Sequence, residues 1–193
     1  MILVFDTETT GMVRWNEPAD HPAQPHIVQL GMGLYHPDDG AELAALSLLV
    51  KSDVSVEPEA GAVHGITDDL LREAGLEPKL AIYLLREMAK RATLVVAHNI
   101  NFDRKMAMIE FLRTGLDDGP LMQLPSFCTM QATTPICRIL KNNPRHSTDY
   151  KWPKLIEAYK HFFASEMTGA HDALSDVRGC ARIYFHLKAT QNG

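Results

Sequence analysis

Cysteine is scarce in this chain: three residues, Cys128, Cys137 and Cys180, none of them in a CxxC pair. An odd number at wide spacing excludes a disulfide framework and a zinc knuckle, which fits a reducing cytoplasm. There is no run of 18 apolar residues and no basic flank ahead of an apolar N-terminal stretch. The sequence therefore predicts a soluble, unexported protein with no membrane span. Positive charge is also short, with 19 Lys and Arg against 24 Asp and Glu and a formal net charge of −5. That balance argues against a broad basic face of the kind that coats duplex nucleic acid, so any polyanionic partner must be held locally. Repeats and low-complexity tracts are absent, and the one Pro-rich segment is NEPADHPAQPH at 16–26, which reads as a loop. What remains is 193 residues with 46% hydrophobic content, enough for one compact domain over 1–193 with a sizeable core.

Hydrophobic periodicity gives the element order. The apolar run ILVF ends in acids at Asp6 and Glu8 and reads as a buried strand. IVQLGMGLY places Val28, Leu30, Met32 and Leu34 at the period of a half-buried strand, with LSLLV (46–50) pairing beside it. PKLAIYLLREMAKR is an amphipathic helix, and TLVVAH (93–98) is another short covered strand. Further helices are predicted at 100–113, 131–140, across WPKLIEAYKHFF and at 173–188, with a short extended stretch at 127–129. Strands first, then strand and helix in alternation, define an α/β fold: a mixed central sheet of about five strands with helices on its faces.

Three short motifs then stand out. In DTETTG, strand alternation sends Asp6 and Glu8 to the same side, where two carboxylates repel; an Asx-type turn before Gly11 is the plainer reading of that stretch. In HNINFD, Asn99 sits where a helix cap is favoured. Asp103 falls in the first turn, at the edge of the inner face marked by Phe102, Met106 and Ile109. In HDALSD, helical spacing puts Asp176 in line with Cys180, Ile183 and Leu187, an acid within an apolar stripe. His171, five residues earlier, can approach the same place only from the loop before the helix, with Asp172 as N-cap. An ionised carboxylate in an apolar setting is costly without a cation, and no set of Lys or Arg partners is evident. Oxygen ligands of this kind suit magnesium or manganese rather than zinc. A pair of such ions is a device for phosphodiester cleavage, with His171 placed to take a proton from the attacking water.

Together DTETTG, VHGIT (63–67), HNINFD and HDALSD, in this order and spanning nearly the whole chain, resemble the DEDDh group of 3′-to-5′ exonucleases, the family of the bacterial replicative polymerase's proofreading subunit. The resemblance implies a ribonuclease-H-like fold. It also implies that Asp6, Glu8, Asp103 and Asp176 bind two Mg²⁺ or Mn²⁺ ions, and that His171 is the general base. By the same resemblance Thr9, His64 and Phe102 hold the terminal nucleotide, although Phe102 also reads as core and His64 as a turn residue. The implied partner is nucleic acid with a free 3′ end, single-stranded, and a DNA polymerase as a companion. The Pro-rich segment after Gly11 departs from the family pattern.

One further stretch, KNNPRHSTDYKWPK (141–154), sets Lys141, Arg145, Lys151 and Lys154 against the single acid Asp149, with Tyr150 and Trp152 interleaved. It reads either as a guide for a strand, through phosphate contacts and stacking, or as a solvated loop anchored by Trp152. Two other functional classes fit parts of the pattern. A phosphatase of the haloacid dehalogenase type also ends its first strand in an acid, but wants Asp where Glu8 stands. A catalytically silent nucleic-acid-binding domain would normally have lost one of the four acids.

Overall fold

The computed structural model describes residues 1–191. In chain order the elements are β1 (Ile2–Thr9), β2 (Ile27–Tyr35), β3 (Glu42–Leu49), α1 (Pro58–His64), α2 (Asp68–Ala74), α3 (Pro78–Ala89) and β4 (Leu94–Ala97). They continue with α4 (Ile100–Thr114), α5 (Gly119–Met122), β5 (Ser126–Cys128), α6 (Thr129–Cys137), α7 (Leu155–Phe163) and α8 (Ala173–Gln191). The strands form one five-stranded mixed sheet in the order β3-β2-β1-β4-β5. β2 runs antiparallel to β1 and to β3, whereas β4 is parallel to β1 and to β5. This is the α/β architecture that the periodicity predicts.

Alternation along β1 divides the core. Leu3 and Phe5 face one way, into a cluster with Leu85 of α3 and Met106 and Ile109 of α4. Ile2 and Val4 face the other way, against Val177, Cys180 and Ile183 of α8 and Leu155 of α7. The sheet is thus covered on both faces, and β1 lies at its centre.

β2 departs from the half-buried strand that its alternation suggests, because all nine of its residues are buried. The positions between its apolar residues are Gln29, Gly31 and Gly33, and none is wet: Gln29 and Gly31 meet the start of α8, and Gly33 lies under the Tyr35 ring. At Gly31 the backbone of α8 comes so close that a Cβ would stand 2.4 Å from the Ala173 carbonyl carbon and oxygen. Glycine is needed there for contact, and a missing side chain reads in sequence like a polar gap. α6 ends three residues before the predicted Leu140, where Arg138 turns to φ 50°. The short helices α1, α2 and α5 carry too few buried residues to show a period; α1 buries none. Among the described residues, no helix is long and apolar enough to cross a membrane.

Candidate active site

The acids converge at the carboxyl end of β1, beside the point where its neighbours change from antiparallel β2 to parallel β4. Crevices at such switch points are where open α/β sheets bind ligands. Asp6 and Glu8 continue the Ile2–Val4 side of the strand and so face α8. Asp103 arrives from the opposite layer. β1 pairs with the four-residue β4 only as far as Val4, which leaves later backbone groups on that edge without a strand partner. Asp103, 2% exposed, fills the opening. Its Oδ1 accepts from the Thr7 amide at 3.0 Å and from Thr7 Oγ1 at 2.9 Å.

Asp176 comes from the first turn of α8 and is 9% exposed. His171 lies in the loop before that helix, as its spacing requires, and adopts φ 66°. A non-glycine residue in the left-handed region is held there by its surroundings, and such outliers gather at functional sites. Glu8, Asp176 and His171 each bring one potential ligand atom within 4.8 Å of the others. The loop is braced from the sheet: buried Gln29 donates through Nε2 to Asp172 Oδ2 at 2.8 Å and accepts from the Ala173 amide at 3.1 Å. Asp172 in turn caps α8, its Oδ1 accepting from the Ser175 amide at 3.0 Å. Because Gln29 stands opposite Glu8 in the strand register, one side chain aligns the acid-bearing strand with the histidine-bearing loop.

These acids charge one another with little relief. Burial, and then the charges of Asp103, Asp176 and Glu8, hold the Asp6 carboxyl well above its ordinary range. Burial and the carboxylates of Asp176 and Asp103 push Glu8 up to about 8. Burial raises Asp103 even though Thr7 donates two hydrogen bonds to it. Asp176 is lifted by burial to about 6, against the opposing pull of His171. No ion pair among the described residues involves any of the four. An all-oxygen set that lacks a protein cation fits hard divalent ions such as Mg²⁺ or Mn²⁺.

The other predicted residues fall as follows. Buried Thr9 donates its hydroxyl to the Gly11 carbonyl at 2.7 Å. His64 accepts from the Ile66 amide at Nδ1 (3.0 Å), so its Nε2 carries the proton that reaches the Thr9 carbonyl at 3.2 Å. Burial lowers its pKa, and the nearby His171 contributes in the same direction. The structure thus brings His64 to the mouth of the site. Phe102 packs partly buried against the α3–α4 core. Lys151 lies farther along the chain, its Nζ 2.6 Å from Glu157 Oε1. Asn99 occupies the cap position of α4, but at φ 89° and with no side-chain cap hydrogen bond; the left-handed turn there leaves its amide free for other contacts. Thr7 and Gln29 are supporting residues that the sequence did not single out. Thr7 carried a signal in DTETTG, as the polar residue between the two acids; Gln29 carried none.

The sheet order and the acid cluster define a hydrolase of ribonuclease-H-like architecture acting on nucleic acid. The sequence model of the exonuclease family RNase_T matches residues 3–184, and the chain belongs to that family: it is a metal-dependent 3′-to-5′ exonuclease of the DEDDh type. It is 26% identical over 181 residues to the uncharacterized exonuclease CP81 of Escherichia phage 186, covering 91% of this chain and 82% of that protein. Against the DNA polymerase III subunit epsilon of Salmonella typhimurium it is 27% identical over 196 residues, or 98% of this chain and 72% of that protein. In fold it matches Exonuclease I of E. coli, solved in complex with a dT13 oligonucleotide, with a TM-score of 0.76 at 19% identity over 99% of this chain. The chain spans 41% of that protein's length. Membership of the family removes the phosphatase alternative.

Proposed function

We propose that the protein, as a single domain, removes mononucleotides one at a time from a free 3′ end of single-stranded DNA in the cytoplasm. Asp6, Glu8, Asp103 and Asp176 would hold two Mg²⁺ or Mn²⁺ ions. The supporting observation is four buried or half-buried carboxylates with no cationic partner, gathered beside one histidine. When bound, the ions supply the positive charge that activates a water and offsets charge developing on the phosphate and the leaving oxygen. The chain's own groups do the rest. Thr7 fixes the Asp103 carboxylate, Gln29 fixes the 171–173 turn, and the His171 ring accepts the proton of the attacking water. His171 acts as base and not as ligand, since the carboxylates already provide the oxygen donors that magnesium prefers. Thr9, His64 and Phe102 surround the terminal nucleotide, and Lys151, although paired with Glu157, keeps further N–H donors for a phosphate of the bound strand.

Single-stranded DNA is favoured by the likeness in fold to an enzyme solved with dT13. Similarity to epsilon subunits supports a companion reading in which the chain works beside a DNA polymerase; co-purification with a polymerase subunit would test it. For the activity itself, single-stranded DNA labelled along its whole length and blocked at one end or the other is incubated with and without magnesium. Mononucleotides should appear only with the metal and only when the 3′ end is free. Rapid cutting of a closed single-stranded circle would sink the proposal.

A further inference from the structure

The chain has two tryptophans, and both face solvent: Trp15 is 56% exposed and Trp152 65%. Large aromatic rings are highly buried on average, so two exposed indoles together call for a reason. They come from distant segments yet line one groove of about 570 Å³ together with Asn99 at the cap of α4, Asn101, Arg104, Lys105 and Met108 of α4, and Met122 of α5. Its size lies within the range of roughly 300–1,000 Å³ common to ligand sites.

Neither indole is displayed by a loose loop. The Pro-rich segment is tied around buried Gln24, whose Nε2 donates to the carbonyls of Arg14 (3.0 Å), Glu17 (3.3 Å) and Pro18 (3.0 Å) while its Oε1 accepts from the Arg14 amide (3.1 Å). Arg14 Nε closes the ring on the Ala23 carbonyl at 2.8 Å. The backbone that carries Trp15 is therefore fixed while its ring stays in water. Trp152 is held by its neighbours: the Lys151 amide donates to the Ile139 carbonyl at 2.8 Å, and the buried Pro153 carbonyl lies 3.0 Å from His98 Nε2. Two rigid mounts with bare rings are what a stacking platform requires, because little order must be gained on binding.

The lining specifies the occupant. Indole faces stack on any base, side-chain amides both donate to and accept from base edges, and an ammonium meets phosphate. Lys105 forms no ion pair among the described residues, so its charge is available. Asn99 and Asn101 belong to the same turn of chain as Asp103, whose carboxylate is bonded to Thr7 of β1, so this end of the groove adjoins the acid-bearing turn. We propose that Trp15 and Trp152 form a second subsite that stacks bases of a single strand on the 5′ side of the scissile bond. This subsite rests on the exonuclease reading above and gives the Pro-rich insertion its purpose: it adds affinity for length that the catalytic centre lacks.

The chain's two tryptophans are also its reporters. The intact protein is titrated in EDTA with thymidylate oligomers while tryptophan fluorescence is followed, and turnover in magnesium is compared for a dinucleotide and a decanucleotide. Fluorescence should quench with the decanucleotide and not with the dinucleotide. Trp15→Ala and Trp152→Ala should each raise the KM of the decanucleotide by about 5- to 150-fold, the range for one lost base stack, and leave dinucleotide turnover within about twofold. Phe at either position should restore most of the loss. Unchanged fluorescence together with an unchanged KM in both variants overturns the subsite, as does equal quenching by a blunt duplex. If the wild type releases no nucleotide yet quenches with length, the hydrolytic reading fails and the subsite stands.

Discussion

Helix α4 carries two acids that are equally hidden and differently served. Asp103 and Glu110 are each 2% exposed. Glu110 has a cation: Arg113 Nη1 lies 2.8 Å from its Oε1, and the Ile27 amide donates at 3.3 Å; His26 Nδ1 lies 3.6 Å away, but burial and the Arg113 charge lower the pKa of that imidazole to about 4 and keep it neutral. Asp103 has the hydroxyl and amide of Thr7, forms no ion pair among the described residues, and feels the charge of Asp176. Burying charge is tolerable only when something of opposite sign answers it. At Glu110 the protein answers from within, and that acid is architecture. At Asp103 no protein cation answers among the described residues, and that unanswered charge is what supports the proposed metal site.

Substitution at the two ends of the helix should separate these roles. The largest effect is expected for Asp103→Asn, and for Asp6→Ala or Asp176→Ala: loss of magnesium-dependent hydrolysis, with a thermal midpoint in EDTA that is unchanged or raised because repulsion has been removed. If any of these variants keeps near wild-type turnover in saturating magnesium, the assignment of metal ligands is wrong. Next comes His171→Ala, expected to lose about 10²- to 10⁴-fold in turnover with metal affinity retained. Calorimetry showing affinity and activity falling together would make His171 a ligand instead.

Glu110→Ala is the mirror case. It should lower stability by about 1–3 kcal/mol by stranding the Arg113 charge and the Ile27 amide, while the folded fraction turns over at close to the wild-type rate. A strong loss of turnover at unchanged stability would erase the distinction between the two ends.

The subtlest test uses pH. Glu8 titrates near 8 in the folded protein against 4.5 for the unreacted side chain, so the native state keeps its proton more tightly. Stability from this group is full below pH about 4.5 and is lost as pH rises through about 8; Asp6 and Asp103 shift in the same direction. In EDTA the melting temperature should therefore fall between pH 5 and pH 8, and magnesium should raise it more at pH 8 than at pH 5. An equal rise at both would mean that the ion does not sit among these acids.

The sequence disclosed the acids of this comparison more readily than their surroundings. Asp6, Glu8 and Asp176 were legible because each breaks an apolar pattern of fixed period, and His171 because helical spacing forced it into a loop. The role of Thr7 was not, since it depends on β4 being half as long as β1 and leaving an edge for Asp103 to fill. The Gln29 brace joins residues more than 140 positions apart, and only the packing of α8 onto β2 brings them together. Gly31 and Gly33 made β2 look half-exposed, although the backbone of α8 covers the first and the Tyr35 ring the second. The helices α1 and α2 were invisible for the opposite reason: they bury too little to leave a periodic trace.

Arg113 does more than answer Glu110. Its guanidinium also donates to the carbonyls of Gln24 and Pro25 at 2.7 Å each, fastening the last turn of α4 to the root of the Pro-rich loop. The first turn of the same helix is fastened to β1 by Asp103. α4 is in effect a strut clamped at both ends, with the buried Asp103 carboxylate at one clamp and the mount of Trp15 at the other. A load on the Pro-rich loop is therefore borne by the same beam that sets the position of Asp103, and trimming the loop would slacken the acid cluster from the far end of the helix.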